Sequence, residues 1–175
     1  MSLNERVNLT EIVAMDKNRV IGRNGDLPWA GRLRSDMDHF KRTTEGHTVG
    51  LGRKTYDSIP EKFRPLLKRE NVVITRDLEF KAPGCVVIHD PNVLIRMSIE
   101  KEIFIIGGAE IYKIFLPLTE RLIVTHVETE ITDGDTFFPE LNRSEWRQKL
   151  LFRQEADAKN AFSFSVLEYI RIIEM

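Results

Sequence analysis

Short apolar runs alternate with amphipathic stretches along most of this chain. Apolar runs bounded by turn residues are typical of buried strands, and the intervening segments carry helical periodicity. The predicted strands are Leu9 to Met15, Thr48 to Leu51, Asn71 to Thr75, Cys85 to Ile88, Glu102 to Ile106, Arg121 to Thr129, Trp146 to Arg153 and Phe162 to Ile172. Because helices separate most of these strands, we expect parallel pairing through right-handed crossovers. A polar loop at residues 155–160 joins the last two strands directly, which predicts an antiparallel pair.

Four segments between these strands have helical signals. They are Gly31 to Arg42, a segment beginning after Gly52-Arg53-Lys54, a segment starting at Asp90-Pro91, and Ala109 to about Leu116, before Pro117. In the first, Leu33, Met37 and Phe40 repeat at helical spacing. In the third, we expect Asp90 as the N-cap and Pro91 at the first helical position. The pattern predicts an α/β fold: a single domain over residues 1–175, with its core at about 9–172, a mixed, mostly parallel eight-stranded sheet, about four flanking helices and an antiparallel C-terminal edge hairpin.

Composition narrows the class of protein. The chain has 175 residues, 42% of them hydrophobic and 30% charged, as in an ordinary globular domain. A net charge of −1 argues against a large nucleic-acid interface. The lone cysteine, Cys85, excludes an internal disulfide and suits a reducing compartment. The first apolar run is short and interrupted by Glu11, so we expect no signal peptide, no membrane partner and a cytoplasmic location.

Asp36 is the most informative polar residue. It follows Leu33 by three positions and precedes Phe40 by four, so it falls on the apolar face of the first helix. An ionised carboxylate there is unfavourable unless a cation or several donors meet it. The sequence leaves two interpretations, a ligand that meets Asp36 or backbone N–H groups at the helix start near Ser35.

Three strand-to-helix turns could bind phosphate. The pattern of residues 102–112 predicts a strand, a glycine pair and a helix. The pair Gly107-Gly108 would let a ligand approach the backbone closely. The segment is neither a dinucleotide-binding GxGxxG motif nor a P-loop, and a tight structural turn is the alternative. Arg53 and Lys54 at a helix start oppose the helix dipole, which is unfavourable unless an anion lies between them. With Arg76 after another strand, the turns suggest one polyanionic ligand such as a dinucleotide.

Two further segments are ambiguous, and the histidines indicate no metal site. The loop at residues 20–29 is rich in turn residues but carries Leu27 and Trp29, which favour burial, so it is either a lid or a segment packed on the core. Arg69, just before a strand, reads as a solvated surface charge. The four histidines lack metal-ligand spacing, and we expect no metal.

Taken together, these segments resemble the dihydrofolate reductase family of the chromosomal bacterial type. The similarity runs from about Glu11 to Arg171. Its pieces are Val20-Ile21-Gly22, Leu27-Pro28-Trp29, the Asp36 helix with Phe40-Lys41, Gly52-Arg53-Lys54-Thr55, Ile106-Gly107-Gly108, and Gly134-Asp135-Thr136 before Phe138-Pro139. Each piece is weak alone, but their succession along the chain is specific.

The resemblance implies an enzyme of one-carbon metabolism. Its expected reaction is the NADPH-dependent reduction of 7,8-dihydrofolate to 5,6,7,8-tetrahydrofolate, by hydride transfer to pterin C6 with protonation of N5. NADPH is the expected cofactor, dihydrofolate the substrate, and antifolates the expected inhibitors. We expect a monomer.

The resemblance also implies a set of substrate contacts. Asp36 would accept hydrogen bonds from N3 and the 2-amino group of the pterin, and Thr125 would hydrogen-bond Asp36. Arg69 would pair with the α-carboxylate of the substrate's glutamate. The expected catalytic residues are Asp36, Leu27, Trp29 and Thr125. The expected substrate-binding residues are Ile12, Val13, Ala14, Leu27, Asp36, Met37, Phe40, Ile59, Leu66, Arg69, Ile106, Tyr112 and Thr125.

The cofactor contacts implied by the resemblance lie on the three turns. Gly107 and Gly108, joined in the family by a cis peptide, would hold the pyrophosphate together with Ala109. The cations near the 2′-phosphate imply a preference for NADPH over NADH. The expected cofactor-binding residues are Ala14, Ile21, Gly52, Arg53, Lys54, Thr55, Ile74, Thr75, Arg76, Ile106, Gly107, Gly108, Ala109, Glu110, Ile111 and Tyr112.

Some positions depart from the family pattern, and two alternative functions also remain open. Gly50, Tyr56, Ala109 and His39 differ from the common residues, and the loop at residues 60–68 is lengthened.

One alternative function is that of a pyrimidine reductase of the riboflavin pathway, which would not be expected to carry Leu27-Pro28-Trp29 with Asp36. The other is a nucleotide-binding protein without catalysis.

Overall fold

The structure, a computed structural model, describes residues 6–172 and divides them into two compact units. The first unit comprises residues 6–11 and 44–120, and the second unit comprises residues 12–43 and 121–172. No helix among these residues is long and apolar enough to cross a membrane.

The described residues form ten strands and four α-helices. The strands are β1 (Leu9–Met15), β2 (Val20–Gly22), β3 (Thr48–Gly52), β4 (Glu70–Ile74), β5 (Val86–Ile88), β6 (Ile103–Gly107), β7 (Arg121–Val127), β8 (Thr136–Phe137), β9 (Trp146–Gln154) and β10 (Phe164–Arg171). The helices are α1 (Arg34–Thr44), α2 (Arg53–Ser58), α3 (Asn92–Glu100) and α4 (Ala109–Phe115).

Eight of the strands form one mixed sheet in the order β5-β4-β3-β6-β1-β7-β10-β9. In the first unit, β3 pairs in parallel with β4 and β6, β4 with β5, and residues 9–11 of β1 with β6. In the second unit, β10 is antiparallel to both β7 and β9. The predicted fold class is confirmed, because helices separate most of the parallel strands and a short loop joins the antiparallel edge pair.

A second, two-stranded sheet was not predicted. It pairs β2 with β8 in antiparallel fashion, with Val20 opposite Phe137 and Gly22 opposite Thr136. The prediction of a loop over residues 20–29 was therefore wrong for its first residues. Strands of three and two residues are too short to show an alternating pattern.

Two predicted helix starts were also wrong. Helix α1 begins at Arg34, three residues after Gly31, where the Asn160 side chain accepts the Ser35 N–H at 2.9 Å. That cap comes from 125 positions along the chain, so no local pattern indicates it. Helix α3 begins at Asn92, although Asp90 accepts the Asn92 N–H as predicted for a capping side chain.

Packing in the first unit explains the departure at Gly50. A Cβ atom there would lie 2.5 Å from Cδ2 of Leu94 and 3.1 Å from Cδ1 of Ile105. Both neighbouring side chains are fully buried and cannot move aside easily. The missing side chain at Gly50 thus makes room for Leu94 of α3.

We expect Gly50→Ala to lower the free energy of unfolding by about 1–3 kcal/mol through overpacking. Urea unfolding of the variant and the native protein measures the difference. In the double variant Gly50→Ala/Leu94→Ala the two losses should be less than additive, because removing the leucine relieves the clash. A Gly50→Ala protein as stable as the native one would show that Leu94 does not fill this space.

Candidate active site

Asp36 is held by a hydrogen bond within the second unit. The Thr125 hydroxyl, on β7, donates to Oδ1 of Asp36 at 2.6 Å. Thr125 is buried, and Asp36 is half-buried on the first turn of α1. Burial raises the pKa of Asp36 from its ordinary value of 3.8 to about 6, with the Thr125 hydrogen bond opposing the rise. Of the two sequence interpretations, the helix-start alternative is wrong, since among the described residues the donor is Thr125 and not the backbone of α1.

The apolar stripe beside Asp36 is less buried than predicted. Leu33 is buried, but Phe40 is half-buried and Met37 is 50% exposed. Apolar side chains left accessible beside an oriented carboxyl group are typical of small-molecule sites. Of the other predicted substrate residues in this unit, Ile12 and Val13 are buried on β1 and Ala14 is half-buried.

The raised pKa of Asp36 implies that the free energy of unfolding depends on pH. Because the folded carboxyl holds its proton more tightly than the unfolded one, the stability contribution of Asp36 falls as pH rises from about 4 to about 6. Asp36→Asn removes this penalty while keeping an acceptor for Thr125. We therefore expect the variant to unfold at a higher urea concentration than the ligand-free native protein at pH 7, with the gain vanishing near pH 4. A variant less stable than the native protein at pH 7 would contradict the assigned penalty.

Asp16, which sequence reasoning missed, anchors the start of the loop at residues 20–29. Its buried carboxylate accepts the backbone N–H groups of Asn18, Val20 and Ile131 at 2.7 to 2.8 Å. It therefore joins the β1–β2 turn to the segment that precedes β8. An Asp followed by a polar turn is the only local signal, and it gives no indication of the contact 115 positions away.

The rest of this loop, residues 23–29, is partly held by hydrogen bonding and partly by burial. Oδ2 of Asp135 accepts the Asn24 N–H at 2.7 Å. The expectation of burial was correct for Trp29, which is 2% exposed, and wrong for Leu27, which is 39% exposed. The buried Nε1 of Trp29 has no hydrogen-bond acceptor within residues 6–172. That indole N–H is therefore available to a water molecule or a ligand atom.

The glycine pair of the first unit is flanked by two hydroxyl side chains. The Gly107–Gly108 peptide bond is cis, as the resemblance implied. Gly107 has φ +116, and a Cβ there would lie 3.2 Å from the Tyr112 ring. A Cβ on Gly108 would lie 3.1 Å from Oγ1 of Thr55. Burial and the charge of Glu11 raise the pKa of Tyr112 well above its ordinary value, so its hydroxyl stays protonated.

The three predicted turns follow neighbouring parallel strands. Gly52 at the end of β3 is opposite Ile74 on β4, and Leu51 is opposite Gly107 on β6. Since the carboxyl ends of parallel strands meet at one edge of a sheet, the three turns lie side by side.

The side chains of these turns differ in exposure. Arg53, Lys54 and Arg76 are exposed, and Thr55 and Thr75 are half-buried. The remaining predicted cofactor residues are Ile21, Ile74 and Ile111, which are buried, and Ile106, Ala109 and Glu110, which are half-buried or exposed.

Arg69 is not the solvated surface charge that its local sequence suggested. Its Nε donates to the Leu67 carbonyl at 3.0 Å, and Nη1 donates to Oγ1 of Thr44 at 3.1 Å. Burial lowers the pKa of this guanidinium, which nevertheless stays charged. Arg69 precedes β4 and Arg76 follows it, so the two residues lie at opposite ends of that strand. The neighbouring predicted residues Ile59 and Leu66 are half-buried.

No group of three or more His, Cys, Asp or Glu side chains within residues 6–172 is placed to hold a metal ion. The polar groups described above are Asp36 and the indole of Trp29 in the second unit, and the glycine pair and the strand-end cations in the first unit.

Comparison with known proteins gives consistent matches over nearly the whole chain. The family model described as dihydrofolate reductase matches residues 8–171. Dihydrofolate reductase of Staphylococcus haemolyticus is 41% identical over 162 residues, covering 92% of this chain and 94% of the relative. That of Bacillus subtilis (strain 168) is 39% identical over 159 residues, covering 90% and 91%. The solved structure of dihydrofolate reductase from Enterococcus faecalis, complexed with NADP(H) and RAB-propyl, is similar with a TM-score of 0.84 and 33% identity, covering 93% of this chain and 95% of that one.

Proposed function

The chain belongs to the dihydrofolate reductase family, and on that premise we propose that it reduces 7,8-dihydrofolate to 5,6,7,8-tetrahydrofolate with NADPH. The observation that carries the proposal is the half-buried Asp36 carboxyl, oriented by Thr125 on a helix that also carries the exposed Met37 and the half-buried Phe40. A pterin offers it the two N–H donors, at N3 and the 2-amino group, that an ionised carboxylate in such surroundings needs.

Asp36 orients and polarises the pterin in this mechanism. When bound, NADPH would supply the hydride for pterin C6, and the protein would supply position and electrostatic field. Asp36 contacts the ring on the side away from N5, so a water molecule delivers the N5 proton. The unsatisfied Nε1–H of Trp29 supports this step, because it can hydrogen-bond such a water. Closure of the loop at residues 24–27, with Leu27, excludes bulk solvent.

NADPH binds along the three turns of the first unit. Gly107, Gly108 and Ala109 contact the pyrophosphate, because the absence of side chains on the pair lets the phosphate oxygens approach the backbone. Tyr112 and Ile106 would border the nicotinamide. Arg76, Lys54 and Arg53 provide the charge for the 2′-phosphate, with Thr55 as a hydroxyl donor.

We expect Arg76→Ala to raise the KM for NADPH about tenfold and to leave the KM for NADH nearly unchanged, because only NADPH carries the 2′-phosphate. Steady-state rates with each cofactor measure the effect. Arg96→Ala, which removes an exposed cation on α3, is the matched control and should alter neither KM. Equal increases for both cofactors would mean that Arg76 does not contact the phosphate.

The activity is tested by following NADPH absorbance with and without dihydrofolate. We expect oxidation that depends on dihydrofolate and produces tetrahydrofolate in equal amount. A protein that binds NADPH but shows no such oxidation would support the nucleotide-binding alternative. A methotrexate titration separates the pyrimidine reductase alternative, since tight stoichiometric binding is expected only of a dihydrofolate reductase.

We also propose that the protein acts as a monomer in the cytoplasm, without nucleic-acid or membrane partners. The net charge of −1 and the single cysteine support this proposal. Light scattering of the purified chain should give the mass of one 20.3 kDa chain.

A further inference from the structure

Asp77 pairs with one of the cations that we assign to the cofactor phosphate. Its Oδ2 accepts a hydrogen bond from Nη1 of Arg53 at 2.7 Å. A second carboxylate, that of Asp57, lies 3.5 Å from Nε of Arg53. Two of the three guanidinium nitrogens therefore lie within ion-pair distance of carboxylates of the protein itself.

The pair between Arg53 and Asp77 is held in place from both sides. Oδ1 of Asp77 accepts the Glu79 N–H at 3.0 Å, and the Asp77 N–H donates to Oγ1 of Thr75 at 3.2 Å. The Arg53 guanidinium lies over the Phe80 ring, 4.7 Å from its centroid. A turn and an aromatic face thus fix both partners, so this contact is better defined than an ordinary surface ion pair.

The net positive charge around Arg53 is smaller than the neighbouring cations alone suggest. Arg53, Lys54 and Arg76 contribute three positive charges, while Asp57 and Asp77 contribute two negative ones. A phosphate binds an arginine through its N–H groups, and one of these, on Nη1 of Arg53, already donates to Asp77. Within the described residues, no carboxylate pairs with Lys54 or Arg76, so these two cations meet a phosphate without such competition.

We propose that Asp77 determines cofactor specificity by competing with the 2′-phosphate of NADPH for Arg53. The inference rests on the proposed function. By occupying a donor of Arg53, Asp77 disfavours NADPH, and it narrows the preference for NADPH over NADH that the three cations would otherwise give.

The test compares Asp77→Asn with a matched control in the full-length chain. Asparagine keeps the acceptor for the Glu79 N–H while removing the charge. Glu79→Gln makes the same charge change two residues away, at an exposed side chain. The dissociation constants of NADPH and NADH are measured by fluorescence titration for both variants and for the native protein.

We expect Asp77→Asn to tighten NADPH binding about three- to tenfold, since a nearby like charge is removed, and to leave NADH binding unchanged. Glu79→Gln should change the ratio of the two constants by less than about twofold, as expected for a screened surface charge. In an Arg53→Ala background the effect of Asp77→Asn should largely disappear, because the competition is then absent.

An unchanged or smaller preference for NADPH in Asp77→Asn would overturn the inference and leave the proposed function intact. Equal shifts in Asp77→Asn and Glu79→Gln would overturn it as well, because they would indicate a general effect of surface charge. If Asp77→Asn still tightened NADPH binding in the Arg53→Ala background, competition for that guanidinium would be excluded. A native protein that binds neither cofactor would instead contradict the proposed function.

Discussion

Replacing Asp36 by asparagine is expected to slow turnover about a hundredfold or more, as for loss of one preorganised polar partner at a reacting group. The asparagine side chain can still accept from Thr125, but it has no negative charge to polarise the pterin. Steady-state kcat at pH 7, above the pKa of Asp36, measures the loss. The expected combination is a more stable but nearly inactive protein, since the same charge that disfavours the ligand-free fold would bind the substrate.

Asp38→Asn is the matched control for that substitution. Asp38 is exposed on the same helix, two residues on, and lies 3.9 Å from Arg34 in a solvent-exposed pair. Its replacement should alter kcat by less than about twofold. If Asp36→Asn retained the native rate at pH 7, the assigned role of Asp36 would be wrong.

Replacing Arg69 by alanine is expected to lower kcat/KM for dihydrofolate about ten- to hundredfold, because a charge-assisted pair with the substrate's glutamate is lost. The hydrogen bonds to Leu67 and Thr44 hold the guanidinium in a fixed position, which favours bidentate recognition of a carboxylate. The measurement compares dihydrofolate with a dihydropterin that lacks the benzoyl-glutamate portion.

The dihydropterin without the benzoyl-glutamate portion distinguishes a loss of glutamate recognition from a loss of the folded structure. We expect Arg69→Ala to process it at the native rate, since no carboxylate remains to be recognised. Lys68→Ala, the exposed neighbour paired with Glu45, should affect neither substrate. Equal losses with both substrates would mean that Arg69 maintains the fold and does not bind the glutamate.

Most of the main sheet could be predicted because its strands are apolar runs with helices between them. The first strand, Leu9–Met15, has the predicted bounds, and β9 differs from its prediction by one residue. The small sheet of β2 and β8 could not be predicted, because two and three residues give no periodicity. The start of α1 depends on the Asn160 side chain, which no local pattern connects to Ser35.

The candidate site was predictable in part for a similar reason. Position on a helix face singled out Asp36, and the strand-to-helix turns singled out the glycine pair and the cations. Thr125 lies 89 positions from Asp36, so only the family resemblance indicated their contact. The tethering of the loop at residues 20–29 by Asp16 and the pairing of Arg53 with Asp77 required the three-dimensional structure, since each joins residues that are separated along the chain.

The central claim is that the Asp36 carboxylate is neutralised by the pterin and not by the protein. A crystal structure of the complex with NADPH and folate measures this directly, through the distances from the two Asp36 oxygens to the pterin ring. We expect N3 and the 2-amino group both to lie within hydrogen-bond distance of that carboxylate, with Thr125 still donating to it. A carboxylate turned to the N–H groups of its own helix, with the pterin bound elsewhere, would contradict it.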